Sequence, residues 1–275
     1  MLGINTNVPS LTAQKNLGAS SQSINTSIAR LSSGLRINSA RDDAAGLAIA
    51  TRMSSDIRGS EVAKRNTNDG ISALQIADGA LSTVTDNVQR MRELAVQAAT
   101  GTLTTDDRAN LNAEFTQLAD QIESVTTNTK FNGVDLLTAA AAGTPLSIQT
   151  GSASADKTNV TLVNGEAVST ALNAAGFDLT TAANATSAIT TLDTQLTALN
   201  TGRATLGAGI NRLDAVVANL DTTVTNVSAA RGRIMDADFA KETANLTRTQ
   251  ILQQAGTAML AQANQLPNNV LSLLR

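Results

Sequence analysis

Cysteine, histidine, tryptophan and tyrosine are all missing from the 275 residues, and four phenylalanines supply the only aromatic bulk. Without histidine the commonest general base is gone, and without cysteine there is no thiol nucleophile. Zinc sites built from nitrogen or sulfur ligands are excluded with them. Carboxylate, lysine or serine chemistry remains, and the residues form no constellation for it. No catalytic residue, metal ligand or cofactor is therefore assigned, and the chain is not read as an enzyme. So few aromatics also argue against a compact globule and for thin helix-on-helix packing by Leu, Ile, Val and Ala.

Other absences narrow the class further. The net charge is −3, with Lys and Arg scattered singly, so there is no basic patch for nucleic acid. No run of about 18 apolar residues exists to span a bilayer. The first residues lack a charged stretch followed by an apolar one, so no Sec-type signal peptide is expected.

What the sequence does have is helical periodicity. Leu11, Leu17, Ile24, Ile28, Leu31 and Leu35 form a stripe that begins near Pro9 and Ser10, residues suited to a helix start. The same helix, with or without an interruption, is expected to continue through Leu47, Ala50, Met53 and Ile57. Gly59-Ser60 and Asn66-Thr67-Asn68-Asp69-Gly70 read as breakers around a short polar connection. From Ile71 a second stripe runs through Leu74, Leu81, Val84, Val88, Met91, Ala95 and Ala98 once Asp78 is skipped. Gly101 should end that helix and Thr104 cap the next, with Asp106 and Asp107 in its first turn. Leu111, Phe115, Leu118, Ile122 and Val125 complete an antiparallel helical hairpin.

Residues 131–183 change character and read as short β-hairpins and loops. Asn164-Gly165, between Val160, Leu162 and Val168, is the hairpin-turn signal. Pro145-Leu146-Ser147-Ile148 alternates upstream, and Phe177 and Leu179 do so downstream. A third long helix follows, from Ile189 through Leu206 to Val227, with Arg203 the one polar residue in its stripe. About 45 residues would span about 65 Å and need partners along that length. Arg203 is either a polar register device or a side chain reaching the surface. Gly232–Asp238 reads as a joint, and Leu246, Leu252, Met259 and Leu266 carry the last helix, with Pro267 near its end. The expected fold is mainly α: an elongated antiparallel helical rod or coiled coil with paired N- and C-terminal helices and a small β-hairpin region.

Several stretches carry a resemblance: RLSSGLRINSARDDAAGLAIA, NDGISALQIADGAL, QRMRELAVQAA, FNGVDLL, LGAGINRLDAVV and ILQQAGTAMLAQANQLPNNVLSLLR. Together and in this order they resemble bacterial flagellin, over most of residues 1–137 and 203–275. The resemblance implies an inner, D0-like terminal coiled coil of residues 1–40 and 235–275. It also implies a D1-like helical rod of residues 41–234 with a variable insert at about 131–183. The outer D2/D3-type domains of large flagellins are missing. The implied function is a structural subunit that polymerises helically into the extracellular filament for motility. Export would be unfolded, through the flagellar type III apparatus. The implied partners are copies of itself, an export chaperone, the filament cap and the hook–filament junction proteins.

The same resemblance places Gln89, Arg90, Leu94 and Glu114 where an animal flagellin-sensing Toll-like receptor reads the family. Arg90 and Arg92 beside Glu93 also suit a solvated face or a subunit contact. Met259, Leu266, Val270, Leu271, Leu273 and Leu274 are C-terminal candidates for assembly, chaperone binding or cytosolic sensing, and inner-layer packing is their plainer role. Asp42-Asp43, Asp106-Asp107, Asp236 and Asp238 could be catalytic carboxylates or a cation site; helix-start stabilisation or charge pairing between subunits is the favoured alternative. The Ser- and Thr-rich middle offers hydroxyls for O-linked sugars. Two competing functions stand beside the filament subunit: a hook–filament junction protein, which shares the terminal helices, and a signalling coiled coil, which calls for a more continuous hairpin.

Overall fold

The computed structural model describes residues 6–174 and 177–273, with side chains through residue 265. Among them are seven helices and two short antiparallel strand pairs. The chain divides into two compact units, one of residues 1–57 and 225–275 and the other of residues 58–224.

In the first unit, α1 (Val8–Ser33) starts where Asn7 caps it, its Oδ1 accepting the Ser10 amide at 3.1 Å. It ends at Gly34, whose φ of +71° is the left-handed cap that glycine adopts without Cβ strain. The expected continuation through Ile57 is therefore two helices. The chain leaves α1, makes a bridge from Leu35 to Asp236 and restarts at Ala44. Buried Ile37, Ala50 and Met235 close a small core beside that bridge. Helix α7 (Phe239–Leu273) packs along α1 and runs through Pro267 to the end of the described residues.

The second unit holds the main core. Helix α2 (Ala44–Ala98) passes through both expected breakers without interruption. Its glycines serve close packing here: a Cβ on Gly59 would sit 2.8 Å from Ser152 Cβ, and one on Gly70 would collide with Ile148. Thr67, fully buried, satisfies its hydroxyl on the Ala63 carbonyl at 2.8 Å. Weak local propensity loses to the burial of this helix face. After a turn at Gly101, α3 (Thr105–Asn128) starts with the expected cap, a reciprocal box between Thr104 and Asp107. Phe115 is buried and meets Phe177 with ring centroids 5.2 Å apart.

Residues 130–181 are only partly β. Strands β1 (Lys130–Phe131) and β2 (Val134–Asp135) pair around Asn132-Gly133, whose φ values of +48° and +81° make the two-residue hairpin turn. Strands β3 (Leu146–Gln149) and β4 (Lys157–Val160) pair Leu146 with Val160. Short α4 (Ala139–Gly143) and α5 (Glu166–Leu172) fill the remainder. Asn164-Gly165 is not a hairpin turn: it starts α5, with Asn164 Oδ1 accepting the Ala167 amide at 3.0 Å. Asn-Gly suits either role, and α5 forms because Val168 and Leu172 are buried in the core. Phe177 and Leu179 lie in no strand; Leu179 is fully buried and its amide donates to Asn112 Oδ1 at 2.8 Å. Helix α6 (Ala182–Met235) is longer than expected, starting upstream of Ile189 and ending in the expected joint.

Candidate functional site

Two surfaces collect the residues that the sequence singled out. In the first unit, α1 and α7 run antiparallel, and several polar side chains join them. Asn7 Nδ2 donates to the Ala263 carbonyl at 2.8 Å, and Ser10 Oγ to Asn264 Oδ1 at 2.8 Å. Gln253 Nε2 reaches Ser21 Oγ at 3.4 Å. Further along, Ser27 Oγ donates to Glu242 Oε1 at 2.6 Å, and Arg30 lies 3.8 Å from the other carboxylate oxygen. Glu242 is 8% exposed, so its neighbours hold a buried charge at the seam.

Several apolar side chains point the other way. Val8, Leu11 and Ile28 of α1 are exposed, as are Phe239, Ile251, Leu252 and Met259 of α7. Of the expected α7 stripe, Leu246 is partly buried, whereas Leu252 is 52% and Met259 65% exposed. Small and polar residues share the inward positions with partly buried Leu17, which lies against Gly256, and with partly buried Ile24, Leu31, Leu246 and Leu260. Pro9, Ala13, Leu17, Leu252 and Met259 line an open groove of about 560 Å³. Leu266, Val270, Leu271 and Leu273 have side chains outside the described residues, and Leu274 lies outside them entirely.

The second unit carries the other surface. Arg90, half exposed, is held by two carboxylates: Nε and Nη2 approach Glu114 Oε1 at 3.0 and 2.9 Å, and Nη1 approaches Glu93 Oε2 at 2.9 Å. The hydrogen bond to Glu93, then that to Glu114, raises the guanidinium further above its ordinary value. Gln89 is exposed beside it, whereas Leu94, 1% exposed, belongs to the core. Three of the four candidates are therefore surface groups, and the fourth lies in the packing beneath them. Arg92 pairs with Asp193 at 2.6 Å.

The aspartate pairs act at helix starts and turns. Asp43 Oδ1 accepts the Gly46 amide at 2.8 Å, and Asp238 Oδ1 the Lys241 amide at 3.1 Å. Asp42 accepts from the Ser39 hydroxyl and the Ser39 and Asn38 amides, which hold its carboxyl below the ordinary 3.8. Asp107 is lowered first by the Thr104 hydroxyl and then by the Thr104 amide. Among the described residues no group of three acidic side chains could hold a metal ion. Sequence reasoning missed Arg108. Its guanidinium donates to the carbonyls of Ala98, Thr100 and Leu103 at 2.7–3.0 Å and so satisfies the end of α2. An arginine one turn into the following helix was the available signal.

Paired helices from the two ends of the chain, each with apolar side chains left exposed, define a mainly helical structural unit. Residues 4–142 match the bacterial flagellin N-terminal helical region, and residues 189–274 the C-terminal helical region. A flagellin of Halalkalibacterium halodurans is 47% identical over 272 residues, covering 99% of each chain. The crystal structure of Bacillus cereus flagellin superposes with a TM-score of 0.52 at 36% identity, covering 61% of this chain and 94% of that one. A flagellar hook-associated protein from Vibrio parahaemolyticus shares the fold, with a TM-score of 0.59 at 15% identity over 71% of this chain and 100% of that one. The chain belongs to the bacterial flagellin family. It is a structural subunit of the extracellular flagellar filament.

Proposed function

We propose that copies of this chain polymerise by burying the outward apolar faces of α1 and α7 against neighbouring copies. The observation that carries this reading is the exposure of Leu11, Ile251, Leu252 and Met259 on these two helices. Each half-exposed side chain gains roughly 1 kcal/mol on burial, and the gain repeats at every subunit. The two faces lie on different helices, so a contact of one copy's α1 with the next copy's α7, made once per pair, is heterologous and gives an open helical array where the rotation does not close. Assembly, with no catalytic step, is the whole of the activity.

Leu252→Asp with Met259→Asp tests this. Both side chains are exposed, so the monomer should keep its helicity, while seeded or salt-induced filaments disappear in negative-stain electron microscopy. Normal filaments from the double variant would sink the reading.

The finer parts of the reading rest on family membership and on these surfaces. Terminal helices stabilised mainly by neighbours suit a subunit exported unfolded through the flagellar type III apparatus. An export chaperone would hold the apolar face of α7 before assembly, and the cap and junction proteins would meet the same helices in the filament. The exposed Gln89, Arg90 and Glu114 suit recognition by an animal Toll-like receptor. Arg90→Ala should weaken signalling by polymer-free monomer and leave filaments intact; undiminished signalling would defeat the assignment. For the alternative of a hook–filament junction protein, the fold alone does not discriminate, since a flagellar hook-associated protein shares it, and the 47% identity to a flagellin favours the filament subunit.

A further inference from the structure

In the second unit the helix-to-helix seam of α2 with α6 repeats with the heptad, so that seam by itself guides register only weakly beside the packing of Ile148 on Gly70 and of Val160 on Gly209. On α2, buried Leu74, Leu81, Val88 and Ala95 recur every seventh residue. On α6, buried Leu192, Leu199, Leu206, Leu213 and Leu220 do the same. Sliding α6 by seven residues places leucine where leucine was, whereas the α2 series tapers from leucine to valine and alanine. Even the close-packed glycines repeat: Gly202 faces Val163, and Gly209, seven residues on, faces Val160. Such seams admit alternative registers unless polar residues exclude them.

Three ion pairs cross this seam. Lys64 meets Asp221 at 2.6 Å, Asp78 meets Arg203 at 2.9 Å, and Arg92 meets Asp193 at 2.6 Å. Their α2 members are spaced by two heptads, and their signs alternate: plus, minus, plus on α2 and minus, plus, minus on α6. The two residues that interrupt the apolar stripes, Asp78 and Arg203, are each other's partner.

We propose that this alternating ladder is a register lock, which selects one antiparallel alignment of α2 and α6 by penalising its neighbours. The α6 members are less evenly spaced, so a slip of two heptads in one direction brings Lys64 within one turn of Arg203 and Asp78 within one turn of Asp193. In the other direction it brings Asp78 within one turn of Asp221 and Arg92 within one turn of Arg203. Both put like charges together. A slip of one heptad sets Asp78 level with Leu196 or Ile210, and Arg203 level with Ile71 or Thr85, so the Asp78–Arg203 pair is lost and Asp78 faces an apolar side chain; in the second case Arg203 moves toward Asp86, whose charge already acts on it. Half-exposed pairs contribute little to stability; the ladder acts on the difference between registers, where repulsion counts as much as attraction.

The test uses the absence of cysteine. Exposed Thr83→Cys and Thr201→Cys provide two thiols in the full chain for spin labels, and pulsed electron resonance reads their distance after refolding from denaturant. With native charges, one distance is expected. Exchanging the middle pair, Asp78→Arg with Arg203→Asp, keeps every native pairing but makes the three ladder positions of α2 positive and the three of α6 negative. Slipped registers then carry attraction, and further populations should appear in which the helices have slid by about 10 or 20 Å. Exchanging both outer pairs instead makes the ladder positions of each helix uniform in the opposite sign and should do the same. Exchanging all three restores alternation and should return the single distance. One unshifted distance in both uniform variants overturns the lock, as does a mixed population in the fully exchanged one. If the uniform variants fail to fold while the fully exchanged chain folds, alternation is again what the fold requires. If all three fail, individual side chains matter rather than alternation, and the proposal falls.

Discussion

Asp107 shows how one carboxylate sets a helix boundary. It accepts from the Thr104 hydroxyl and amide, which stabilise its charged form and lower its pKa. A group with a depressed folded pKa contributes stability above its unfolded value and loses it as pH falls through the folded value. The contribution of Asp107 should thus be complete at neutral pH and fade as pH drops below the ordinary 3.8. Asp107→Asn keeps an acceptor but removes the charge. Thermal melts of the two proteins should differ at pH 7 and converge near pH 2; a constant difference would mean that charge plays no part. Thr104 and Asp107 were legible in the sequence because a capping box is a local pattern. Arg108 was not, because its three acceptors belong to a turn whose geometry no spacing reveals.

At the scale of elements, glycine separates local from tertiary meaning. Gly70 lies inside α2, where alanine would favour the helix by about 1 kcal/mol. Its missing Cβ instead admits Ile148 of β3. Gly70→Ala should therefore lower stability. In an Ile148→Ala background, already weakened by its own cavity, the same change should become neutral or stabilising. Denaturant titrations of the four proteins form the double-mutant cycle, and simple additivity would refute the close-approach account. The turn at Asn132-Gly133 makes the complementary case. Gly133, at φ +81°, is needed for its backbone conformation and has open space around it. Gly133→Ala should cost about 1 kcal/mol, measured as a shift in the unfolding midpoint. Both glycines look alike in sequence. One accommodates a neighbour and the other a dihedral angle.

At the scale of the whole molecule, α1 and α7 come from opposite ends of the chain, so neither has its partner nearby in sequence. Their seam mixes small and polar residues with partly buried Leu and Ile, and Val8, Leu11, Ile28, Ile251, Leu252 and Met259 stay exposed. A chain lacking residues 239–275 should keep the core of the second unit and stay helical by circular dichroism, with α1 left without its partner. It should form no filaments under seeding. In the intact chain, helicity should rise on polymerisation as the terminal helices gain neighbours. Filaments from the truncated chain, or flat helicity during assembly of the intact one, would contradict the assignment of assembly to these helices.

Periodicity by itself determined the long helices, their antiparallel hairpin and the exclusion of thiol and imidazole chemistry, because a 3-4 repeat and a missing residue type are properties of sequence alone. The motif order likewise pointed to the family before any contact was known. Only tertiary structure decided that α2 runs unbroken, that Asn164-Gly165 starts a helix, and that Leu252 and Met259 face outward. Each of those outcomes depends on a distant partner: β3 and the loop after it against α2, the core around α5, and α1 against α7. Asp78 and Arg203 make the division plain. Each is an interruption in its own stripe, and the stripes are joined at that point by the ion pair between them.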